Sequence, residues 1–204
     1  MRAWRLAILS PIVLAIVVII SGVTSQGRVG VSALSTPSPQ ANLVSQSNST
    51  PSPLVRVMSR SVPTRIWIPS IGVDSSLMKL GLLQDGSLQV PPKGFPAGWY
   101  TGSPTPGELG PSIIAGHIDW KGPGVFYRLD RMQVGDKIMV DRSDGSTATF
   151  IVTRIASFPK NKFPTEAVYG NLNYPGLRLI TCGGNFDFVS HEYVNDLVVF
   201  AQVI

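Results

Sequence analysis

Beyond Thr64 the apolar runs of this chain are short, and most of them stop at a glycine or a proline. RIWIP, LMKLG, LQVPP and LITCGG each end this way within a few residues. A helix needs apolar positions three and four apart sustained over roughly ten residues or more, and no stretch of this region keeps that period beyond a few turns. Short runs rich in β-branched and aromatic residues, bounded by Gly, Pro and Asp-Gly signals, read as strands instead. About eight such runs separated by turns predict an all-β barrel or sandwich.

In order, RIWIPSIGV and SSLMKLGLL read as two strands with a glycine-containing break, and DGSLQVPP as a turn and a short strand that proline ends. Lys93–Gly110 is a long irregular stretch crowded with Gly and Pro. PSIIAGH (Pro111–His117) is a buried strand ending on histidine, and GVFYRLDRM one or two helical turns. KIMVDR and STATFIVTRI flank Ser143-Asp144-Gly145 as a hairpin. A second long loop covers Phe158–Gly176, before LRLITC and YVNDLVVFAQVI close the chain as strands. Loops of this length inside a domain are usually functional.

The N-terminal third is built differently. Residues 1–5 carry Arg2 and Arg5, and an uncharged apolar stretch runs from Leu6 to Val23. That is near the roughly 20 residues a bilayer span needs and long for a signal-peptide core. Basic residues ahead of the span place the N-terminus inside and the rest outside, as a single-pass protein of the cell membrane. A cleaved signal peptide is the alternative, since Ser21, Gly22 and Ser25 are small. Residues 24–63 are rich in Ser, Pro, Gln, Asn and Thr without an apolar period, which predicts a disordered stalk. Residues 64–204 are the folded domain. Either way it works outside the cytoplasm.

The formal charge of +5 suggests nucleic acid or an anionic surface. Its distribution removes that suggestion. Val62–Ile204 holds all 12 acidic residues and all but five of the 17 basic ones, so it is formally neutral; the exceptions are Arg2, Arg5, Arg28, Arg56 and Arg60. Nucleic acid is therefore not an expected partner.

Chemistry has few places to reside. Cys182 is the only cysteine, and His117 and His191 the only histidines. A lone thiol forms no internal disulfide, so Cys182 is either a small buried hydrophobe or a nucleophile. It closes the run LRLIT and precedes two glycines, where a side chain can face solvent and a peptide backbone can approach. A free thiol is only a few per cent thiolate near neutrality, and a neighbouring imidazole raises that fraction. His117, at a strand end in AGHID, is either a hydrogen-bonded turn histidine or the partner of the thiol. His191, in the polar run SHEY, reads as a surface residue. No CxxC or HxxxH spacing suggests zinc, no glycine-rich phosphate loop precedes a helix, and no GxSxG elbow occurs. No metal or cofactor is expected.

Six blocks in order then give a family likeness: GWY (Gly98–Tyr100), PGELG (Pro106–Gly110), IIAGHID (Ile113–Asp119), GPGVFYRL (Gly122–Leu129) with VGD (Val134–Asp136), LITCGG with FD (Leu179–Asp187), and YxxxLVVFA (Tyr193–Ala201). Together they resemble a sortase, and the TCGG and GHID blocks look most like class F. The likeness spans roughly Thr64–Ile204. It implies a closed β-barrel of about eight strands with short helices in the connections, on a membrane-anchored chain. It implies that Cys182 attacks a carbonyl in the C-terminal sorting signal of a secreted protein, forming a thioacyl intermediate. His117 then serves as general acid for the leaving amine and as base for the incoming one. An amine on a cell-wall precursor or a surface protein resolves the thioester, which makes the enzyme a transpeptidase.

One family feature is missing. Sortases carry an arginine on or just before the strand after the cysteine, and Gly183–Ile204 contains neither arginine nor lysine. The substitutes are His191 and Asn195 near that strand, Arg178 on the face of Cys182 but about 13 Å of rise away, and Arg128. The expectation is a displaced donor or a slow enzyme. The rival is an inert sortase-like module that binds wall peptides or partner proteins. L,D-transpeptidases also place Cys and His on a β scaffold, but their cysteine signature has no match in this chain.

Overall fold

A computed structural model describes residues 56–204. Eight strands follow one another: β1 (Pro63–Ile68), β2 (Val73–Leu80), β3 (Ala97–Tyr100), β4 (Gly110–Ala115), β5 (Lys137–Arg142), β6 (Thr147–Pro159), β7 (Pro175–Asp187) and β8 (Glu192–Val203). They form a closed barrel in the order β1-β2-β3-β4-β7-β8-β6-β5, with β5 pairing back onto β1. Closure leaves no open sheet edge, which is why the barrel serves a chain of short strands well. One short helix, α1 (Thr165–Tyr169), and three single 3-10 turns sit in the connections. The barrel matches the all-β expectation.

The Leu6–Val23 span, its signal-peptide alternative and residues 24–55 of the stalk lie outside the described residues. Among the described residues no helix is long and apolar enough to cross a membrane. The end of the segment assigned to the stalk is tied to the barrel. The Met58 amide donates to the Gly107 carbonyl at 2.8 Å, and the Arg142 guanidinium donates to the Ser59 carbonyl.

Two neighbouring pairs in the barrel are parallel, β2–β3 and β4–β7. A parallel pair cannot be joined by a tight hairpin, so β4 and β7 are linked by a crossover that carries the β5–β6 hairpin and the Phe158–Gly176 segment. Strands covered on both faces read as unbroken apolar runs. PSIIA and LRLIT show this. On one face Ile114, Leu177 and Leu179 join Ile66, Phe126 and Phe150 in the barrel interior. On the other, Ile113, Ala115, Ile180, Val198 and Phe200 form a second core with Val168 of α1, against which Phe158, Phe163 and Tyr169 pack. Each such buried side chain contributes about 1.5–3 kcal/mol. The second long loop is thus a cover for the outer face of β4, β7 and β8.

The other differences are local. β3 forms inside the stretch read as irregular, because a strand of four residues containing Gly98 carries too little pattern to see. A side chain at Gly98 would overlap Leu80 on the paired strand, so this parallel contact needs the glycine. DGSLQVPP makes only an isolated bridge, Leu82 to Leu88. The Asp-Gly hairpin forms as its turn chemistry predicts, with Gly145 at φ +81° and the Asp144 carboxylate accepting from the Ser146 amide at 3.0 Å.

Candidate active site

The ladder between β4 and β7 runs in register from Gly110 opposite Pro175 to Ala115 opposite Ile180. The Gly116 amide adds one further bond to the Ile180 carbonyl, at 3.1 Å. His117 stands two residues beyond Ala115, and Cys182 two beyond Ile180. Equal offsets past the last rung of a parallel ladder carry the two out of the sheet at the same end. Side chains alternate, so Cys182 continues the outer face that Ile180 occupies. His117 and the half-buried Cys182 both line one cavity of about 430 Å³.

The loop after β4 holds His117 by its backbone. The Phe126 amide donates to the His117 carbonyl at 2.9 Å, and the Gly124 amide to the Ile118 carbonyl at 2.9 Å. A Cβ at Gly124 would overlap the His117 carbonyl, so only glycine fits there. The ring packs on Trp120 with centroids 5.3 Å apart. Its Nε2 lies 2.7 Å from the Pro91 carbonyl oxygen. A carbonyl only accepts, so Nε2 carries the proton and Nδ1 holds the lone pair of the neutral ring.

Cys182 is not at the end of its strand. β7 continues to Asp187 through an irregularity between Gly183 and Phe186. Gly184 takes φ +73°, and a side chain there would crowd Asn195. The double glycine is a bulge that redirects the strand just past the thiol. The β7–β8 turn follows, with the Asp187 carboxylate accepting from the Val189 amide at 2.8 Å and the Ser190 hydroxyl at 2.9 Å. Both bonds hold the Asp187 carboxyl below its ordinary pKa.

Acidic groups surround the thiol. Asp196 of β8 sits directly opposite Cys182 in the antiparallel ladder. It is 5% exposed, and its Oδ1 has no hydrogen-bond partner among the described residues. Burial pushes its carboxyl up to about 6; Lys160 opposes this and Glu192 adds to it. Burial also pushes the Cys182 thiol up to about 11, with Lys160 pulling it down and Asp196, Asp119 and Glu192 raising it further. Across the cavity the Tyr193 hydroxyl donates to Asp119 Oδ2 at 2.6 Å, tying β8 to the segment that follows His117. That bond is the main reason the phenol is pushed up to about 12.

Asp196 yields a stability prediction. An ordinary aspartate ionises near 3.8 and this one near 6, so the fold keeps a proton that the unfolded chain has lost. Stability therefore falls as pH rises through that window, by roughly 3 kcal/mol in all. Asp196→Asn is expected to recover most of this at pH 7.5 and nothing at pH 3.5. Urea unfolding at the two pH values checks it; an equal gain at both would rule out the titration.

Of the four residues weighed as substitute donors, the structure brings one into the cavity. His191 lines it, from a left-handed turn position at φ +54°. Asn195 Nδ2 donates to Ser157 Oγ at 3.0 Å instead. Arg178 is buried on the outer face, donating to the Leu177 carbonyl with its guanidinium 4.6 Å from the Phe200 ring. Arg128 lines a different cavity, with Phe95 and Tyr127. The lysine in the cavity is Lys160, which follows β6 and pairs with Glu192 at 3.7 Å. Nothing in its local sequence marks it. Asp119 lies in the GHID block, and its bond to Tyr193 links two of the six family blocks. Among the described residues no group of three or more His, Cys, Asp or Glu is placed to hold a metal ion.

The family model described as Sortase domain matches residues 66–204. Several solved structures share the fold. Sortase A from Corynebacterium diphtheriae, in a lid-mutant form, is 21% identical with a TM-score of 0.55, over 72% of this chain and 72% of that one. Sortase C-1 from Actinomyces oris is 21% identical with a TM-score of 0.55, over 69% of this chain and 71% of that one. A Clostridium perfringens sortase D5 transpeptidase is 22% identical with a TM-score of 0.52, over 71% and 79%. No curated protein matches in sequence.

Proposed function

Since the chain belongs to the sortase family, we propose that it is a cysteine transpeptidase, closest to class F, acting on the outer side of the cell membrane. The Leu6–Val23 segment anchors it there, and the part of the stalk that precedes Met58 holds the catalytic domain clear of the bilayer, since from Met58 on the chain is bonded to the barrel. Its substrates are the C-terminal sorting signals of secreted proteins. Its acceptors are amines on a cell-wall precursor or a surface protein. The observation that carries the reading is the pairing of Cys182 with His117, each two residues past the last rung of one parallel ladder and both in one cavity.

In the resting site the proton belongs to sulfur. With the thiol at about 11, thiolate is on the order of one molecule in 10⁴ at pH 7. Attack then proceeds as His117 takes the thiol proton and sulfur adds to the carbonyl carbon. The carbon–nitrogen bond breaks while the imidazolium returns its proton to the leaving amine, and a thioester remains on Cys182. An incoming amine gives a proton to His117, adds to the thioester carbon and expels sulfur. The new amide is released and sulfur regains the proton.

The test is incubation of the protein with a library of sorting-signal peptides, scored by mass spectrometry. The expected result is an acyl adduct on Cys182 that an added amine discharges. The inert binding module is the second reading, favoured by the raised thiol pKa. Binding without an adduct from any peptide would establish it.

A further inference from the structure

Three strands bring one level of the outer face together. Cys182 of β7 is opposite Asp196 of β8, and Asp196 is opposite Phe158 of β6. Lys160 lies two residues past Phe158, in the direction that leads from Cys182 toward the β7–β8 turn. β6 and β7 are separated by two strand spacings, about 10 Å, a gap that a long lysine stem spans from one side. Lys160 lines the same cavity as Cys182, and its ammonium is held 3.7 Å from Glu192 Oε2. This ion pair draws the ammonium toward β8 on the cavity side.

We propose that Lys160 is the cation of this site, stabilising negative charge first on the Cys182 sulfur and then on the oxygen of the tetrahedral adduct. The inference rests on the acyl-transfer reading and adds a residue to it. No proton leaves Lys160; it acts as a fixed positive charge while His117 moves the proton. Such a charge, aimed where an anion develops in a half-buried site, is worth far more than in water. The surroundings make it necessary. From β8 and its turn, Glu192, Asp196 and Tyr193 face the thiol, with His191 at the rim. From the segment after β4 come His117 and Asp119. Three carboxylates thus oppose ionisation of the sulfur, and Lys160 is the group among its neighbours that favours it.

The test reads the thiol directly. The pH dependence of iodoacetamide alkylation at Cys182 is measured on the full-length protein and on Lys160→Met, Lys160→Arg and Glu192→Gln. Lys160→Met is expected to move the midpoint up by about one pH unit, and Lys160→Arg to restore it. Glu192→Gln breaks the same ion pair yet removes a carboxylate, so its midpoint moves down. A merely structural role for the pair moves both variants the same way, and that result, or no movement, overturns the proposal. In peptide turnover Lys160→Met lowers kcat at least tenfold with KM within about twofold, as expected for charge felt mainly in the transition state. A change confined to KM also overturns it. Opposite shifts with no adduct from any peptide uphold Lys160 at the thiol and count against the acyl-transfer reading alone.

Discussion

Cys182→Ala is expected to eliminate the acyl adduct and reduce turnover to background, a loss of about a million-fold. The reason is chemical and local. Cys182 is the only thiol in the chain, and it shares its cavity with His117. The thiol is neutral at pH 7 and only half-buried, so removing the sulfur should cost the folded domain little stability. Thermal melting beside the adduct assay separates the two effects. A variant that melts normally and still forms an adduct would place the nucleophile elsewhere.

His117→Ala is expected to reduce kcat by about a hundred- to ten-thousand-fold. With the imidazole absent the thiol loses its proposed base, and its ionisation must proceed against burial and three carboxylates. The residual activity should therefore climb with pH toward the thiol's own range near 11, whereas the intact protein gains far less over that interval. Kinetics from pH 6 to 10 check this. The double variant His117→Ala with Cys182→Ala should be no slower than Cys182→Ala alone, because the two act as one unit. An additive loss would show that His117 works independently of the thiol.

The barrel was legible because β4, β7 and β8 each carry an unbroken apolar run, Ile113–Ala115, Leu179–Ile180 with Leu177, and Leu197–Ala201, bounded by turn residues. Cys182 and His117 stood out through scarcity and through the order of the surrounding blocks. What escaped was set by register. Asp196 looks like any strand-edge aspartate until β8 is laid beside β7, and only that pairing puts a buried carboxylate against the thiol. Lys160 sits in a loop whose length suggested function but whose composition singled out no residue, and its place depends on β6, β8 and β7 being counted off against one another. The search for a substitute cation near Cys182 in sequence accordingly reached Arg178, which the outer core locks against Phe200. Strand β3 and helix α1 were missed for a simpler reason, since each has too few residues for a period to show.

The β4–β7 ladder also separates two things that evolution could change independently. The spacing of thiol and imidazole is inherited from hydrogen bonds between strands, whereas the connection after β3 (101–109) and the one between β6 and β7 (160–174), which together line a cavity beside β4, lie outside the ladders. Under the proposed function, exchanging those segments between relatives is expected to alter what a peptide meets on arrival while leaving the Cys182–His117 spacing in place. The ladder thus sets the spacing of the pair and the connections set its surroundings, so grafting a connection is expected to change substrate preference. The exception is Lys160, which any such graft of the second segment must carry along.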